Sequence, residues 1–395
     1  MKPTLPRGVW AIGFVSLLMD TSSEMIHALL PVFLVGTLGA SVISVGVIEG
    51  IAEASAMLVK VVSGVVSDWV GRRKFLAVTG YGLSALTKPL FAIAASTTMV
   101  LFARFADRIG KGIRGAPRDA LVADITPAAQ RGRAYGLRQG LDTVGAVLGP
   151  GVAALLMLAW DDNIRAVFWV AVIPAFAAVA VLQFGVREPP RAPDHKAVFP
   201  IRREYLRLLP GAFWAVTAIG AVFSLARFSE AFLVLRASDV GMSLATVPLV
   251  IVVMNLVAAA VSYPVGALVD AGQRFWLMLL GVLALVGSQL VLGFADGGPA
   301  VLVGALLWGA HLGLTQGLLA ALISLTAPGH LRGTAFGLFN VVSGLMLLVG
   351  SVLAGVLWQE VGPAATFFVG AIFAAVTLVG VVLLRGRLAP AAGPA

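Results

Sequence analysis

Eighteen charged side chains fall inside stretches of this chain that are otherwise almost purely apolar. The bases are Lys60, Lys88, Arg104, Arg108, Lys111, Arg114, Arg118, Arg138 and Arg227, and the acids are Asp20, Glu24, Glu49, Glu53, Asp107, Asp119, Asp124, Asp142 and Glu230. At a bilayer centre each charge costs roughly 2.5–3.5 kcal/mol on an insertion scale, so the full set, left uncompensated, exceeds any folding stability. These charges must therefore pair, hydrate or line a cavity. All but Arg227 and Glu230 lie in the first half.

The densest group is Arg104, Arg108, Lys111, Arg114 and Arg118, spaced three and four residues apart and hence on one helical face. Five bases exceed what Asp107, Asp119 and Asp124 can balance locally, so partners are expected from Asp20, Glu24, Glu53 or Asp142. Two readings stay open. A closed ion-pair network that orders the first half suits Arg114, Arg118, Asp119 and Asp124, near one end of the helix. A cavity wall suits Arg108 and Lys111, near mid-depth. A carboxyl that carries protons needs burial to favour its neutral form and an arriving base or substrate to favour its charged form. Glu24, in Asp20-Thr-Ser-Ser-Glu24 with His27 three residues on, is the best-placed candidate; Asp20 follows, with Asp142 and Glu230 behind. The alternative for Glu24 is a permanent ion pair. His27 and His311 are lone histidines, open either to a satisfied hydrogen bond or to a proton relay. Trp308, Gln316 and Asn255 offer aromatic and polar contacts, or simple packing. The expected cavity set is Arg108, Lys111, Arg104, Arg114, Arg227, His311, Gln316 and His27.

The elements that must position these groups are membrane helices. The 395 residues are 59% hydrophobic and 12% charged, with a mean hydropathy of +0.97. About 20 apolar residues cross a bilayer, and continuous apolar blocks, rather than two-residue alternation, exclude a β-barrel. Twelve spans are predicted at 8–37, 43–67, 75–95, 98–124, 134–159, 166–186, 210–235, 244–268, 275–294, 299–326, 333–357 and 361–384, leaving no room for a soluble catalytic domain. The first is too long for a signal-peptide core and reads as a retained helix. No cysteine, no Gly-x-Ser-x-Gly and no His-Glu-x-x-His occur, so neither an intramembrane enzyme nor a metal or cofactor site is expected. Basic loop residues gather on one side, including Lys2, Arg72, Arg73, Lys74, Arg131, Arg133 and Arg332, against Arg165 and Arg236 on the other. The positive-inside rule makes the first side, with both termini, cytoplasmic in a multi-pass inner-membrane protein. The net charge of +9 is then a topology signal and not a nucleic-acid footprint.

A proline-rich, basic stretch over 187–209 separates residues 1–186 from 210–395, each carrying six spans. The halves match: Arg131-Gly132-Arg133-Ala134-Tyr135-Gly136-Leu137 parallels Arg332-Gly333-Thr334-Ala335-Phe336-Gly337-Leu338 at an offset of 201, as does Pro127 with Pro328. Two parallel six-helix bundles with a midplane substrate site between them are an architecture of transporters.

Gly64-x-x-x-Asp68-x-x-Gly71-Arg72-Arg73-Lys74 resembles the loop 2–3 signature of the major facilitator superfamily. Arg104 with Gly110 and Gly112 is similar to its helix-4 arginine motif, with Asp107 and Arg108 where glutamine and glycine are usual. Gly145-x-x-x-Gly149-Pro150-x-x-Ala153-Ala154 resembles its antiporter motif, two alanines replacing the terminal glycines. The resemblance covers essentially the whole chain. It implies an all-α membrane protein of twelve transmembrane helices in two pseudo-symmetric bundles. Asp68 would act as a latch against helix 11, with Asp270 as a weaker counterpart; ordinary helix capping is the alternative. Close helix packing explains Gly145, Gly149 and the kink-permitting Pro150 as well as the motif does.

The leading expectation is a monomeric secondary transporter that rocks two bundles and exports small organic or amphipathic compounds against protons, similar to drug/proton antiporters. An importer or exchanger of an organic anion is the alternative, supported by the basic stripe. A membrane protein without transport activity is the remote third.

Overall fold

A computed structural model describes residues 5–189, 203–270, 272–383 and 385, and all regular structure among them is helical. Twelve long stretches follow in order: α1 (Arg7–Thr37), α2 (Val42–Val70), α3 (Arg73–Ile93), α4 (Thr97–Asp124), α5 (Arg131–Ala159), α6 (Ile164–Gly185), α7 (Gly211–Asp239), α8 (Leu249–Asp270), α9 (Arg274–Phe294), α10 (Gly298–Thr326), α11 (Arg332–Glu360) and α12 (Pro363–Leu383). The widest departure from the expected limits is α8, which starts at Leu249 rather than 244. Pro248 immediately precedes it, and a proline, lacking an N–H, suits a helix start. Residues 190–202 of the expected linker lie outside the described residues, as do the side chains of Asp270 and Gln316.

Eleven of these stretches are long and apolar enough to cross a membrane, and α4 is the exception. Its eight charged residues depress its hydropathy, yet its sidedness is inverted relative to a soluble helix. Arg104, Asp107, Arg108 and Arg114 are buried, while Phe102 and Phe105 are exposed. The polar face is held by protein and the apolar face is left for lipid.

Two helices are broken. Helix α1 is regular to His27, turns at Ala28 and Leu29, and resumes through Leu30–Val32 into a π-helical turn over Phe33–Thr37. Pro31 cannot donate to the His27 carbonyl, which accounts for the break. Helix α7 stops at Ala226 and resumes at Ala231 with no proline or glycine between. Side chains satisfy its freed backbone: the Gln289 amide donates to the Ala226 carbonyl (2.9 Å), and the Ser229 N–H donates to Ser351 Oγ (3.1 Å).

The sequence repeat survives as a repeat of contacts. Gly71 and Gly272 both take positive φ (69° and 83°) in the turns before α3 and α9, a backbone that L side chains rarely adopt. Arg165 donates to the Ala92 and Ala94 carbonyls at the end of α3 (2.8 and 2.7 Å). Arg236 does the same for Leu292 and Ala295 at the end of α9 (3.0 and 2.7 Å). These two bases, the ones set apart from the basic loops, are therefore helix caps. Gly149 on α5 lies against α1 so closely that a Cβ there would stand 2.6 Å from the Thr21 carbonyl oxygen and 2.8 Å from Glu24 Cβ. Gly350 on α11 approaches Leu225 of α7 in the same way. The Leu225 backbone thus stands where the Thr21 backbone stands in the first half.

The chain divides into two compact units. One comprises Met1–Ala40, Ile51–Phe199 and Leu244–Val252; the other comprises Ser41–Gly50, Pro200–Ser243 and Val253–Ala395. The start of α2 belongs to the second unit because its glycines fit α11: a Cβ on Gly50 would stand 3.0 Å from Leu348 Cα.

Candidate functional site

Helix α4 organises the charges of the first unit. On α3, Lys88 Nζ lies 3.0 Å from Asp107 Oδ1 and donates to Ser23 Oγ of α1 at 3.0 Å, with Lys88 1% and Asp107 2% exposed. Arg108 pairs with Glu53 of α2 (3.2 Å). Arg114 donates to Ser84 Oγ of α3 (2.7 Å) and lies over the Tyr81 ring, 4.5 Å from its centroid. Arg118 reaches Asp119 (3.0 Å) and Asp142 (3.9 Å), and Arg138 of α5 reaches the same two carboxylates at 3.8 and 3.1 Å. These contacts tie α4 to α1, α2, α3 and α5, with Arg138–Asp142 within α5 itself. Removing one member strands the other in a low-dielectric interior, which is strongly destabilising.

A cavity of about 250 Å³ opens beside this network, walled by α1, α2, α4 and α5. Its acids are Asp20, Glu53 and Asp142, and its bases are Lys60, Lys111, Arg114, Arg118 and Arg138; Gly112 and Gly115 leave the α4 wall low. Asp20 of α1 and Asp142 of α5 both line it, each within electrostatic reach of the other, and Lys111 and Arg114 are the cations that act on Asp20. Gly145 seats α5 on α1 at this level, a Cβ there standing 3.2 Å from Asp20 Cβ. Close packing by Gly145 and Gly149 is thus what brings Asp142 to Asp20.

The bases differ in what they already hold. Arg114, Arg118 and Arg138 are committed to partners. Lys111 is exposed and makes no hydrogen bond or ion pair among the described residues; Asp20, Glu24 and Asp142 are the carboxyls that feel its charge. Lys60, also exposed, likewise donates to no side chain or backbone group among the described residues, and its stem runs past Gly115, 3.9 Å from where a Cβ would stand. Two ammonium groups on different helices thus face the cavity without a partner among the described residues.

Of the residues singled out by type and spacing, Asp20, Asp142, Lys111 and Arg114 meet at this cavity. Arg104 and Arg108 do not line it; they are 2% and 3% exposed, and the Glu53 ion pair draws Arg108 towards α2. Glu24 is off the cavity with the His27 ring nitrogen 3.4 Å away. Arg227, Glu230 and His311 sit in the second unit. Arg227 lies over the Phe223 ring (5.4 Å), Glu230 precedes the second segment of α7, and His311 is fully buried, its Nδ1–H donating to the Gly281 carbonyl (2.9 Å). Lys60, Arg118 and Arg138 were not in the expected cavity set. The signal that could have found them is their place among the eighteen intramembrane charges.

At the loop signature, Arg73 is the hub. It donates to Asp68 (2.9 Å), to Asp124 (2.5 Å) and to the Ala120 carbonyl (3.1 Å), tying the ends of α2 and α4 to the start of α3. Glu188, which the sequence did not single out, accepts from the backbone N–H groups of Arg73 and Lys74 (2.5 and 3.2 Å) and so caps α3. Gly64 lies near Ala116 of α4, and Arg72 immediately precedes α3.

A duplicated, all-helical membrane fold with a charged intramembrane cavity defines a secondary transporter, not an enzyme. The chain belongs to the Major Facilitator Superfamily, whose family model matches residues 12–351 and 231–395. It is 32% identical over 388 residues to an uncharacterised MFS-type transporter of Methanocaldococcus jannaschii, covering 96% of this chain and 95% of that one. It is 25% identical to the inner membrane transport protein YajR of Escherichia coli, over 96% of this chain and 83% of that one. The fold matches that of the nucleoside transporter NupG with a TM-score of 0.82 at 10% identity, over 95% of this chain and 99% of that one.

Proposed function

We propose that this transporter couples protons to the movement of a small organic anion by alternating access. The single observation that carries the reading is the pair of uncommitted ammonium groups, Lys60 and Lys111, in a cavity that also holds the Asp20–Asp142 carboxyl pair. The sign of the coupling follows from charge. A proton on the carboxyl pair removes a negative charge beside Lys111, so an anion binds more tightly, and by reciprocity the anion favours the proton. Anion and proton travel together. An amphipathic cation would instead compete with the proton for the same carboxyls.

Efflux of amphipathic compounds against protons is the second reading. It rests on the α5 motif and on a 26% identity, across 44% of each chain, to multidrug resistance protein 1 of Bacillus subtilis. Purified protein in liposomes, offered labelled organic anions, neutral compounds and lipophilic cations under an imposed pH gradient, separates the two. We expect anions to accumulate on the acid-opposed side, moving with the proton. Accumulation of lipophilic cations against the proton, with anions inert, would establish the efflux reading instead.

The Arg73 hub supports a conformational role for Asp68, with the basic side cytoplasmic. Asp68→Asn is expected to shift the state distribution, read as a several-fold change in maleimide labelling of single cysteines placed at either end of the helices. The chain contains no cysteine, so each reporter is unambiguous. Labelling identical to that of the parent would remove the latch.

A further inference from the structure

Beyond the reading of an anion-coupled site, on which this step rests, we infer that the cavity is built for a dianion with two separated anionic groups, a small dicarboxylate, and that Lys60 is its charge selector. The first ground is the charge of the wall. With its carboxyls ionised, five bases face three acids, an excess of two positive charges. Adding the outer partners of these groups leaves the excess unchanged, because Arg108 pairs with Glu53 while Asp119 is shared by Arg118 and Arg138. Off the cavity wall, Lys88 is held by Asp107, and Glu24 has the His27 ring 3.4 Å away. An uncompensated pair of like charges in a low-dielectric pocket is costly, and a ligand of charge minus two removes that cost where a monoanion removes half of it.

The second ground is where the excess sits. It resides on the two groups without partners among the described residues, and these come from different helices, Lys60 from α2 and Lys111 from α4. Lys60 lies along the α4 wall at Gly115: its Cγ, Cδ and Cε run 3.9–4.0 Å from where a Cβ would stand, ordinary contact distance for alanine, so a side chain as long as leucine would take the space of the stem. Gly115 falls between Lys111 and Arg118 on the basic face, one helical turn beyond Lys111. Lys60 thus adds a charge to that face from outside α4. An ammonium is a compact point charge without the planar fork of arginine, so each lysine suits one end of an extended diacid better than both suit a single phosphate.

The third ground is size. A cavity volume of about 250 Å³ has room for a diacid of four or five carbons.

The test is a binding series on the detergent-purified full chain, with matched pairs differing only in the second charge, succinate against butyrate and glutarate against valerate, together with inorganic phosphate and glycerol phosphate. Affinity is read by thermal shift and by competition with a labelled diacid. The parent protein is expected to prefer each diacid to its monoacid at least tenfold. Lys60→Gln is expected to bring that ratio near one, Lys60→Arg to keep most of it, and Gly115→Leu to reproduce the loss without removing any charge. A parent that binds monoacids as well as diacids, or a Lys60→Gln protein that keeps the preference, overturns the inference while leaving the anion reading in place. Preference for the phosphates over the diacids overturns the assignment of separated charges. Binding of no anion at all, by protein whose monodisperse elution shows it folded, overturns the anion reading and this inference with it.

Discussion

Lys111→Gln should raise the apparent dissociation constant for organic anions by about 10- to 100-fold, with neutral compounds unaffected. The magnitude is that of the charged hydrogen bond the substitution removes. Such a bond contributes about 1.5–3 kcal/mol, and every 1.4 kcal/mol is a factor of ten. The substitution is a clean probe because Lys111 makes no hydrogen bond or ion pair among the described residues and is exposed. No carboxylate is stranded when its charge goes, so folding should not suffer. The same change at Lys88 would leave Asp107 buried and unmatched, and would report on the fold instead. The measurement is anion affinity by thermal shift alongside the melting temperature of ligand-free protein. Unchanged anion affinity with an unchanged melting temperature would take Lys111 out of the site. A lowered melting temperature would show that the ammonium is part of the scaffold.

That contrast between Lys111 and Lys88 marks how far the sequence could be read. Both are lysines inside apolar blocks, and helix periodicity places each on a polar face. What it does not specify is the rotation of α3 against α4, which brings Lys88 onto Asp107 and Ser23, or of α2 against α4, which leaves Lys60 over Gly115. The helices themselves were legible because a bilayer demands about 20 apolar residues from each. Even α4, which fails the hydropathy criterion, was legible from bases spaced three and four residues apart. Its partners were legible only as a pool: Glu53 and Asp142 were among the acids expected to pair with the stripe, but Arg114 is held by Ser84 and Tyr81, neutral groups that no charge count would select. The breaks divide in the same way. Pro31 announces the one in α1, whereas the break in α7 depends on Gln289 and Ser351, far away in the chain.

The charge asymmetry between the repeats bears on coupling. Gly149 packs against the Thr21 backbone as Gly350 packs against that of Leu225, so the halves share the packing, while all the intramembrane charges but Arg227 and Glu230 lie in the first half. On the proposed reading, proton handling belongs to the first unit, and within it to the carboxyls that reach the cavity. Asp20→Asn should therefore abolish proton-driven accumulation of the anion while anion exchange across the liposome membrane persists. An amide matches the carboxyl in size but cannot release a proton, so the pair no longer cycles. The expected size is set by the gradient: with one proton moving per anion and no membrane potential, one pH unit is about 1.4 kcal/mol and supports about tenfold accumulation. The variant should bring that ratio to one. The check is paired, with uptake under an imposed pH gradient and counterflow at equal pH measured on the same liposomes. Accumulation retained by Asp20→Asn would move the coupling group elsewhere, with Glu24 next because it acts on Lys111 from outside the cavity. Loss of both uptake and counterflow would instead make Asp20 part of the anion site, since an acid that only carries protons is not needed for exchange.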